Sequence, residues 1–299
     1  VNRRSTVISL DDVGDLVSDG DVVGIGGFVT TNKPCALVRQ LAMARKRRLT
    51  VVAAPSSIEL DLMIGLDMVQ EVITPYCGAE SLAPVAPFYS HYAGRRFRLQ
   101  EIDNGSLMAM LEAHIRRVPF MPVHVIGTSI VEYNERVRVV ENPFKQGEVA
   151  VVRPLEIDVA LIHAMRADKY GNVQHRGAHF MDHLLAQAAK KVIVQVERVV
   201  PNETIRSLSL ETSLPCEFVD YVVETPFGAH PAASQGFYRR DDRSIAAYVD
   251  AARAHLRGDE QPFDDFVARF IDGPGSHAAY CQAVGVDKVF SLSIEGGGD

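Results

Sequence analysis

Asp21-Val22-Val23-Gly24-Ile25-Gly26-Gly27-Phe28-Val29-Thr30-Thr31-Asn32-Lys33-Pro34 carries the signature of this chain's architecture. A short β-branched run passes through two adjacent glycines and meets a proline where a helical pattern opens. Continuous apolar sequence of this length suits a strand covered on both faces. Pro34 suits a first helical turn, where a missing N–H costs nothing, and the helix is predicted over 34–44. The glycines let backbone come close to a ligand, and free N–H groups at such a turn or helix start hold negative charge. The dinucleotide fingerprint wants a third glycine where Val29 stands, and the phosphate loop of nucleotide hydrolases wants Gly-Lys-Ser/Thr, which is absent.

Outward from this stretch, similar apolar runs recur at 49–54, 122–127, 157–162, 192–196 and 219–223. Helical patterns lie between several of them, at 106–117, 184–190 and 244–256; in the first, Leu107, Leu111, His114, Ile115 and Val118 share one stripe. Strands alternating with helices predict an α/β fold, an open and mostly parallel sheet with helices on both faces. No Pro-rich or Ser/Gly-rich linker and no repeat divides the sequence. Residues 1–299 are therefore expected to form one domain, with a core over about 9–240 and a helical C-terminal extension over about 241–292. The terminal Glu295-Gly296-Gly297-Gly298-Asp299 is expected to fray.

Of 299 residues, 47% are hydrophobic and 23% charged, which suffices for a substantial core. A net charge of −7 disfavours nonspecific nucleic-acid binding, which needs a basic surface. The basic run Arg45-Lys46-Arg47-Arg48 reads as a solvated helix end, favoured by the helix dipole. No stretch of ~18 residues is free of polar groups, so no membrane span is expected. The start, Val1-Asn2-Arg3-Arg4, lacks the apolar segment of a secretory signal, and Val1 reads as an alternative start codon taken literally. Cys35, Cys77, Cys216 and Cys281 form no metal spacing, and reduced thiols in a cytoplasm are the expectation. Cys77, in a loop of small residues, is the one cysteine to watch.

Three further constellations carry chemical possibilities. In Glu101-Ile102-Asp103-Asn104-Gly105-Ser106-Leu107 the two carboxylates alternate sides of an extended segment, so they do not form an acid–base dyad. Ser106 is expected to cap the following helix, while the Asn104 amide is placed to orient a carboxylate or acyl oxygen. In His175-Arg176-Gly177-Ala178-His179-Phe180-Met181-Asp182-His183, three histidines at a spacing of four would share a helical face able to bind metal. Gly177 weakens a helix there, so scattered polar histidines and no metal site are expected. His230, in Pro226-Phe227-Gly228-Ala229-His230-Pro231, is a candidate ligand contact. The serine-hydrolase elbow is missing.

In this order, these pieces resemble the A subunit of class I coenzyme A transferases of the glutaconate type. The resemblance is carried by Asp21–Phe28, Asn32-Lys33-Pro34, Val118-Pro119-Phe120-Met121-Pro122-Val123 and Glu141-Asn142-Pro143-Phe144-Lys145-Gln146-Gly147-Glu148. It continues through Asp158-Val159-Ala160-Leu161-Ile162-His163-Ala164, Gly171-Asn172-Val173 and Phe227–Pro231, and spans about 9–292. It implies that the catalytic glutamate sits on a separate B subunit, where it forms first a mixed anhydride with the acyl group and then a glutamyl-CoA thioester. It also implies an A2B2 heterotetramer, coenzyme A as substrate with no resident cofactor, and no catalytic residue in this chain. Gly26, Gly27 and Phe28 are assigned by it to the loop beside the thioester, and Glu80 and Ser81 to the neighbourhood of the acyl site. Asn104 stands where many such enzymes have glutamine ahead of Gly-Thr-Leu.

Two relatives of that family use the scaffold differently: a ring-opening hydrolase of steroid catabolism, with glutamate where Asn104 stands, and a methylglutaconyl-CoA decarboxylase lacking the B-subunit glutamate. Neutral Asn104 cannot serve as a general base, which weakens the hydrolase reading. The acyl substrate is not legible. A third class, a non-catalytic sensor of CoA esters or sugar phosphates, would usually carry a DNA-binding segment, and no helix-turn-helix with a basic surface is visible.

Overall fold

The computed structural model describes residues 4–53 and 55–294. The expectations for Val1, for Ala54 at the end of the 49–54 run, and for 295–299 lie outside the described residues. The strands are β1 (Val7–Ile8), β2 (Val22–Ile25), β3 (Leu49–Ala53), β4 (Val69–Thr74), β5 (Arg98–Glu101), β6 (Met121–Val123) and β7 (Val137–Glu141). They continue as β8 (Glu148–Val152), β9 (Ile157–Asp168), β10 (Val173–Gln174), β11 (Ala189–Val200), β12 (Thr212–Leu214) and β13 (Tyr221–Glu224). The helices are α1 (Val13–Leu16), α2 (Cys35–Met43), α3 (Ile58–Gly65), α4 (Pro87–Tyr92), α5 (Asn104–Ile115) and α6 (Ile130–Tyr133). After them come α7 (Asp182–Ala188), α8 (Asn202–Ser207), α9 (Asp242–Leu256), α10 (Gln261–Val267), α11 (His277–Val284) and α12 (Val286–Leu292).

The large sheet runs β1-β13-β11-β9-β2-β3-β4-β5, with every neighbouring pair on this path parallel. The short β10 and β12 pair antiparallel at the end of β9. From β2 the chain winds one way through β3, β4 and β5, then returns beside β2 as β9 and winds the other way through β11 and β13. The β2/β9 boundary is thus a topological switch point, where loops leave in opposite directions and a crevice opens at the carboxyl ends of the strands.

Adjacent strand residues serve opposite cores, as the pleat requires. Val51 joins one cluster with Leu37 and Leu41 of α2, Leu60 and Met63 of α3 and Phe88 of α4. Its neighbour Val52 joins the other, with Leu107 and Leu111 of α5, Leu184 and Leu185 of α7, and Val152 of β8. Each such buried side chain contributes about 1.5–3 kcal/mol. That burial, rather than a cap, holds α2, whose Pro34 N-cap makes no side-chain bond. The second face is covered partly by a small antiparallel sheet, β6-β8-β7, which the sequence pattern did not suggest.

Several elements differ from expectation. The 122–127 run is a strand only over Met121–Val123, and it belongs to the small sheet; Gly127 is in a turn at φ +87°. β4 and β5 escape the sequence pattern because Gln70, Glu71, Arg98 and Gln100 interrupt their apolar character. Buried Glu71 is tolerated because Arg136 Nη2 reaches it at 3.0 Å. Asp103, not Ser106, caps α5: its Oδ1 accepts from the Ser106 N–H at 3.0 Å. The C-terminal helices are partly core, since Ile245, Tyr248, Val249 and Ala252 of α9 pack in the same cluster as α2 and α3.

Candidate functional site

The glycine turn lies at the switch point. Gly26 and Gly27 are buried, and Phe28 projects with 39% of its surface exposed. Neither glycine has room for a side chain: a Cβ on Gly26 would stand 2.2 Å from Asp182 Oδ1, and one on Gly27 2.3 Å from the Asn32 carbonyl, at φ +78°. The amides of this turn are not free donors. Gly26 N–H donates to Leu161 O, Gly27 N–H to Asp182 Oδ1 at 2.7 Å, and Phe28 N–H to Thr31 O. In this structure the turn's contribution is therefore shape and close approach rather than spare N–H groups.

Asp182 and His175 come from the histidine-rich segment. His175 Nε2 lies 3.4 Å from Asp182 Oδ2, and His175 Nδ1 lies 2.6 Å from Ser213 Oγ. Ser213 thus holds the His175 ring and Asp182 Oδ1 holds Gly27, while His175 Nε2 and Asp182 Oδ2 face each other with neither hydrogen-bonded among the described residues. The helix that would have aligned three histidines does not form: 175–181 is loop and turn, and only His183 lies in α7. His175 stacks on His179 at 4.9 Å. Among the described residues no group of three His, Cys, Asp or Glu side chains has metal-holding geometry. Phe180 meets Phe28 edge-on at 5.4 Å, and both border an open cavity of about 480 Å³ with His179 and His183.

Below the turn sits a pair that sequence reasoning did not anticipate. Lys33 Nζ and Glu59 Oε1 are 3.2 Å apart, with side chains 0% and 2% exposed. Lys33 also donates to the Gly26 carbonyl at 3.1 Å, while Glu59 accepts from the Ser56 hydroxyl and the Ser57 N–H. Ser57, directly before α3, keeps a buried hydroxyl that bonds to no protein atom among the described residues. The signal was present in Pro55-Ser56-Ser57 between a strand and a helix, and in Glu59 within the mostly apolar Ile58–Gly65.

The other candidates fall at varying distances. Glu80, at φ +54°, pairs with Arg240, and both reach Thr30 Oγ1, which joins the β4 loop to the glycine turn. Ser81 beside it is exposed. Asn104 opens α5 at the end of β5; its Oδ1 is buried without a partner among the described residues. Three strand spacings separate β5 from β2, about 14 Å, so Asn104 is on the same rim but not at the turn. His230 is elsewhere: it is buried, with Nδ1 2.8 Å from the Tyr280 hydroxyl and Nε2 3.0 Å from Asp241 Oδ2. It faces a cavity under the C-terminal helices. Burial pushes the Cys77 thiol well above its usual range, so it stays protonated.

Behind the rim, β9 and β11 hold a second buried polar layer. Glu197 accepts from the Tyr238 hydroxyl at 2.7 Å and the Phe227 N–H at 2.8 Å, and burial pushes its carboxyl up to about 7. His163 lies 3.4 Å from Glu197, and burial pushes its imidazole down to about 3.

The model of the coenzyme A transferase family matches residues 9–225. The chain is 27% identical to the A subunit of glutaconate CoA-transferase from Acidaminococcus fermentans, over 97% of this chain and 95% of that one. It is 32% identical to the cholesterol ring-cleaving hydrolase IpdA subunit of Rhodococcus jostii, over 91% and 94% respectively. The crystal structure of glutaconate coenzyme A-transferase from Acidaminococcus fermentans superposes with a TM-score of 0.91 at 27% identity, covering 98% of this chain and 97% of that one. The match runs from the glycine turn at the switch point through the strands on both sides of it, and the chain belongs to the coenzyme A transferase family.

Proposed function

We propose that the chain is the A subunit of a heteromeric CoA-transferase that moves CoA between an acyl-CoA and a small mono- or dicarboxylic acid. One observation carries this reading: each of the three carboxylates beside the glycine turn is tied to this chain's own structure. Glu59 is held by Lys33, Ser56 and Ser57, Asp182 by the Gly27 N–H through Oδ1, and Glu80 by Arg240. In this reading the nucleophilic glutamate comes from another polypeptide, the B subunit. Its carboxylate attacks the thioester carbonyl and expels CoA thiolate, leaving a mixed anhydride. The thiolate then attacks the glutamyl carbonyl and releases the first acid, leaving a glutamyl-CoA thioester. The incoming carboxylate repeats the two steps in reverse and departs as the new acyl-CoA. CoA is substrate here and not a resident cofactor.

This chain's share is steric and electrostatic. Gly26 and Gly27 let Asp182 and the Asn32 carbonyl pack against the turn and so fix its shape, and exposed Phe28 and Phe180 offer apolar surface to the acyl group or the partner. The Ser57 hydroxyl, left without a partner among the described residues, is a donor able to meet a substrate oxygen, while the unpartnered Asn104 Oδ1 can accept from a substrate N–H or O–H. The likeness to a chain named as the A component of its enzyme supports a B partner, and we extend it to an A2B2 assembly. Among the described residues no helix is long and apolar enough to cross a membrane. Together with cysteines that form no disulfide among those residues, this supports our placement of the enzyme in the cytoplasm.

The test is to treat the purified A–B complex with acyl-CoA and then hydroxylamine or borohydride. Inactivation that depends on acyl-CoA is expected, while the A chain alone turns over nothing. Full survival of activity would sink the covalent mechanism. The 32% identity to a ring-cleaving hydrolase subunit favours hydrolysis of a CoA ester as the second reading. The two separate on whether the complex consumes acyl-CoA without an acceptor acid: a transferase requires one, and a hydrolase does not.

A further inference from the structure

A cavity of about 230 Å³ lies between α2 and α3 on one side and α9, the segment after α10, and α11 on the other. It is larger than the ~150 Å³ that admits a benzene ring. Its walls are mostly apolar, with Leu62, Tyr248, Phe266, Phe270, Ile271 and Val284 among them. Four cations line it, Arg39, Arg243, Arg269 and Lys288, against one carboxylate, Glu59. Glu59 is already committed to Lys33, and Lys288 is held by Asp241 at 2.8 Å.

Arg39 is the informative member. It is only 8% exposed, its Nη1 donates to the His230 carbonyl at 3.0 Å, and its guanidinium lies 3.6 Å above the Tyr280 ring. Its Nη2 lies 3.5 Å from His277 Nδ1, a neutral contact. No carboxylate is within 4.0 Å of it among the described residues. A buried guanidinium without a counter-charge is costly, because it loses water and gains no ion in return. A second, independent feature marks the same wall. Residues Ala268–Asp272 form a π-helical turn, closed by Gly273 N–H on Ala268 O, and it delivers Arg269, Phe270 and Ile271 to the cavity. Such turns are rare and occur frequently at functional sites.

We propose that this cavity is a binding site for an apolar monocarboxylate, separate from the glycine turn, with Arg39 as the carboxylate's counter-ion. The tail occupies the wall of Leu62, Tyr248, Phe266 and Phe270, and the guanidinium pairs with the head group in charge-assisted hydrogen bonds. The site is coupled to the rim through Glu59, which lines the cavity while its partner Lys33 holds the Gly26 carbonyl. The inference stands on the cavity alone and does not depend on the proposed transferase reaction.

The test uses the full-length chain with octanoate as probe, and octanamide and octylamine as controls, by calorimetric titration and thermal shift. Octanoate is expected to bind and raise the melting temperature, and octanamide to bind at least about tenfold more weakly for want of the charge. Arg39→Met is expected to lose about tenfold or more in octanoate affinity. Val284→Trp, which adds bulk to the cavity from α11 and keeps Arg39, is expected to abolish binding and supplies the test if Arg39→Met does not fold. Equal binding of octanoate and octylamine overturns the proposal, as does wild-type affinity in Val284→Trp. Stoichiometric displacement of octanoate by acyl-CoA overturns the separateness of the site.

Discussion

Lys33 and Arg39 are two buried cations on the same strand–turn–helix unit, and the fold treats them in opposite ways. Lys33 meets Glu59 at 3.2 Å with both side chains out of solvent, and the pair is completed by a carbonyl and a serine. Arg39 stacks on Tyr280 and has no carboxylate at hand among the described residues. A closed pair of that kind braces structure, because each charge satisfies the other where no water reaches them. An open charge beside a cavity is a site awaiting its counter-ion. Burial of a charge is thus no sign of function by itself; the state of its pairing is the better guide.

Lys33→Met should have the largest effect. It leaves Glu59 buried and unpaired, and a loss of about 3–5 kcal/mol is expected in denaturant unfolding. A change under about 1 kcal/mol would show that Lys33 is not a brace. Gly27→Ala attacks the turn that the brace supports. With φ at +78° and a Cβ 2.3 Å from the Asn32 carbonyl, it is expected to cost at least about 2 kcal/mol. Activity of the A–B complex should fall with it.

Glu197→Gln asks what a buried carboxylate does when its hydrogen bonds come from a tyrosine hydroxyl and a backbone N–H. The folded Glu197 carboxyl is raised from 4.5 to about 7, so its stabilising contribution is fully present below pH 4.5 and is lost as pH rises through about 7. The variant should therefore gain on the wild type across that window in pH-dependent melts. His163, lowered from 6.5 to about 3, works the other way: its contribution is present above pH 6.5 and is lost as pH falls through about 3. The variant should keep that acid-side dependence. The smallest effect is expected for Arg39→Met measured without ligand. Removing an unmatched buried charge offsets the lost bond to His230 O, so stability should stay within about 1 kcal/mol of wild type. A loss as large as that of Lys33→Met would erase the contrast.

Much of the fold was legible because its central strands are continuous apolar runs. β2, β3, β9 and β11 announce burial on both faces, and Pro34 and the 244–256 periodicity announce helices. β4 and β5 were hidden because polar Glu71 and Gln100 are buried in them, Glu71 by way of the distant Arg136. Of the site, Gly26, Gly27 and Phe28 were legible from their place between a strand and a helix. Glu80 reaches the turn through Thr30, 50 residues earlier, and Arg240, 160 residues later in the chain. Lys33–Glu59 and Asp182–Gly27 likewise join segments whose spacing carries no signal. His230 shows the converse, since a histidine in a suggestive loop is turned away from the rim by Asp241 and Tyr280.

Local composition was enough to specify which strands must be covered on both faces and the glycine turn where one of them ends, because apolar continuity and missing side chains act at short range. Which charges are closed and which stay open follows from the folded arrangement instead. Pairing depends on distances between residues far apart in the chain, and those distances exist only once the two windings of the sheet meet at β2 and β9.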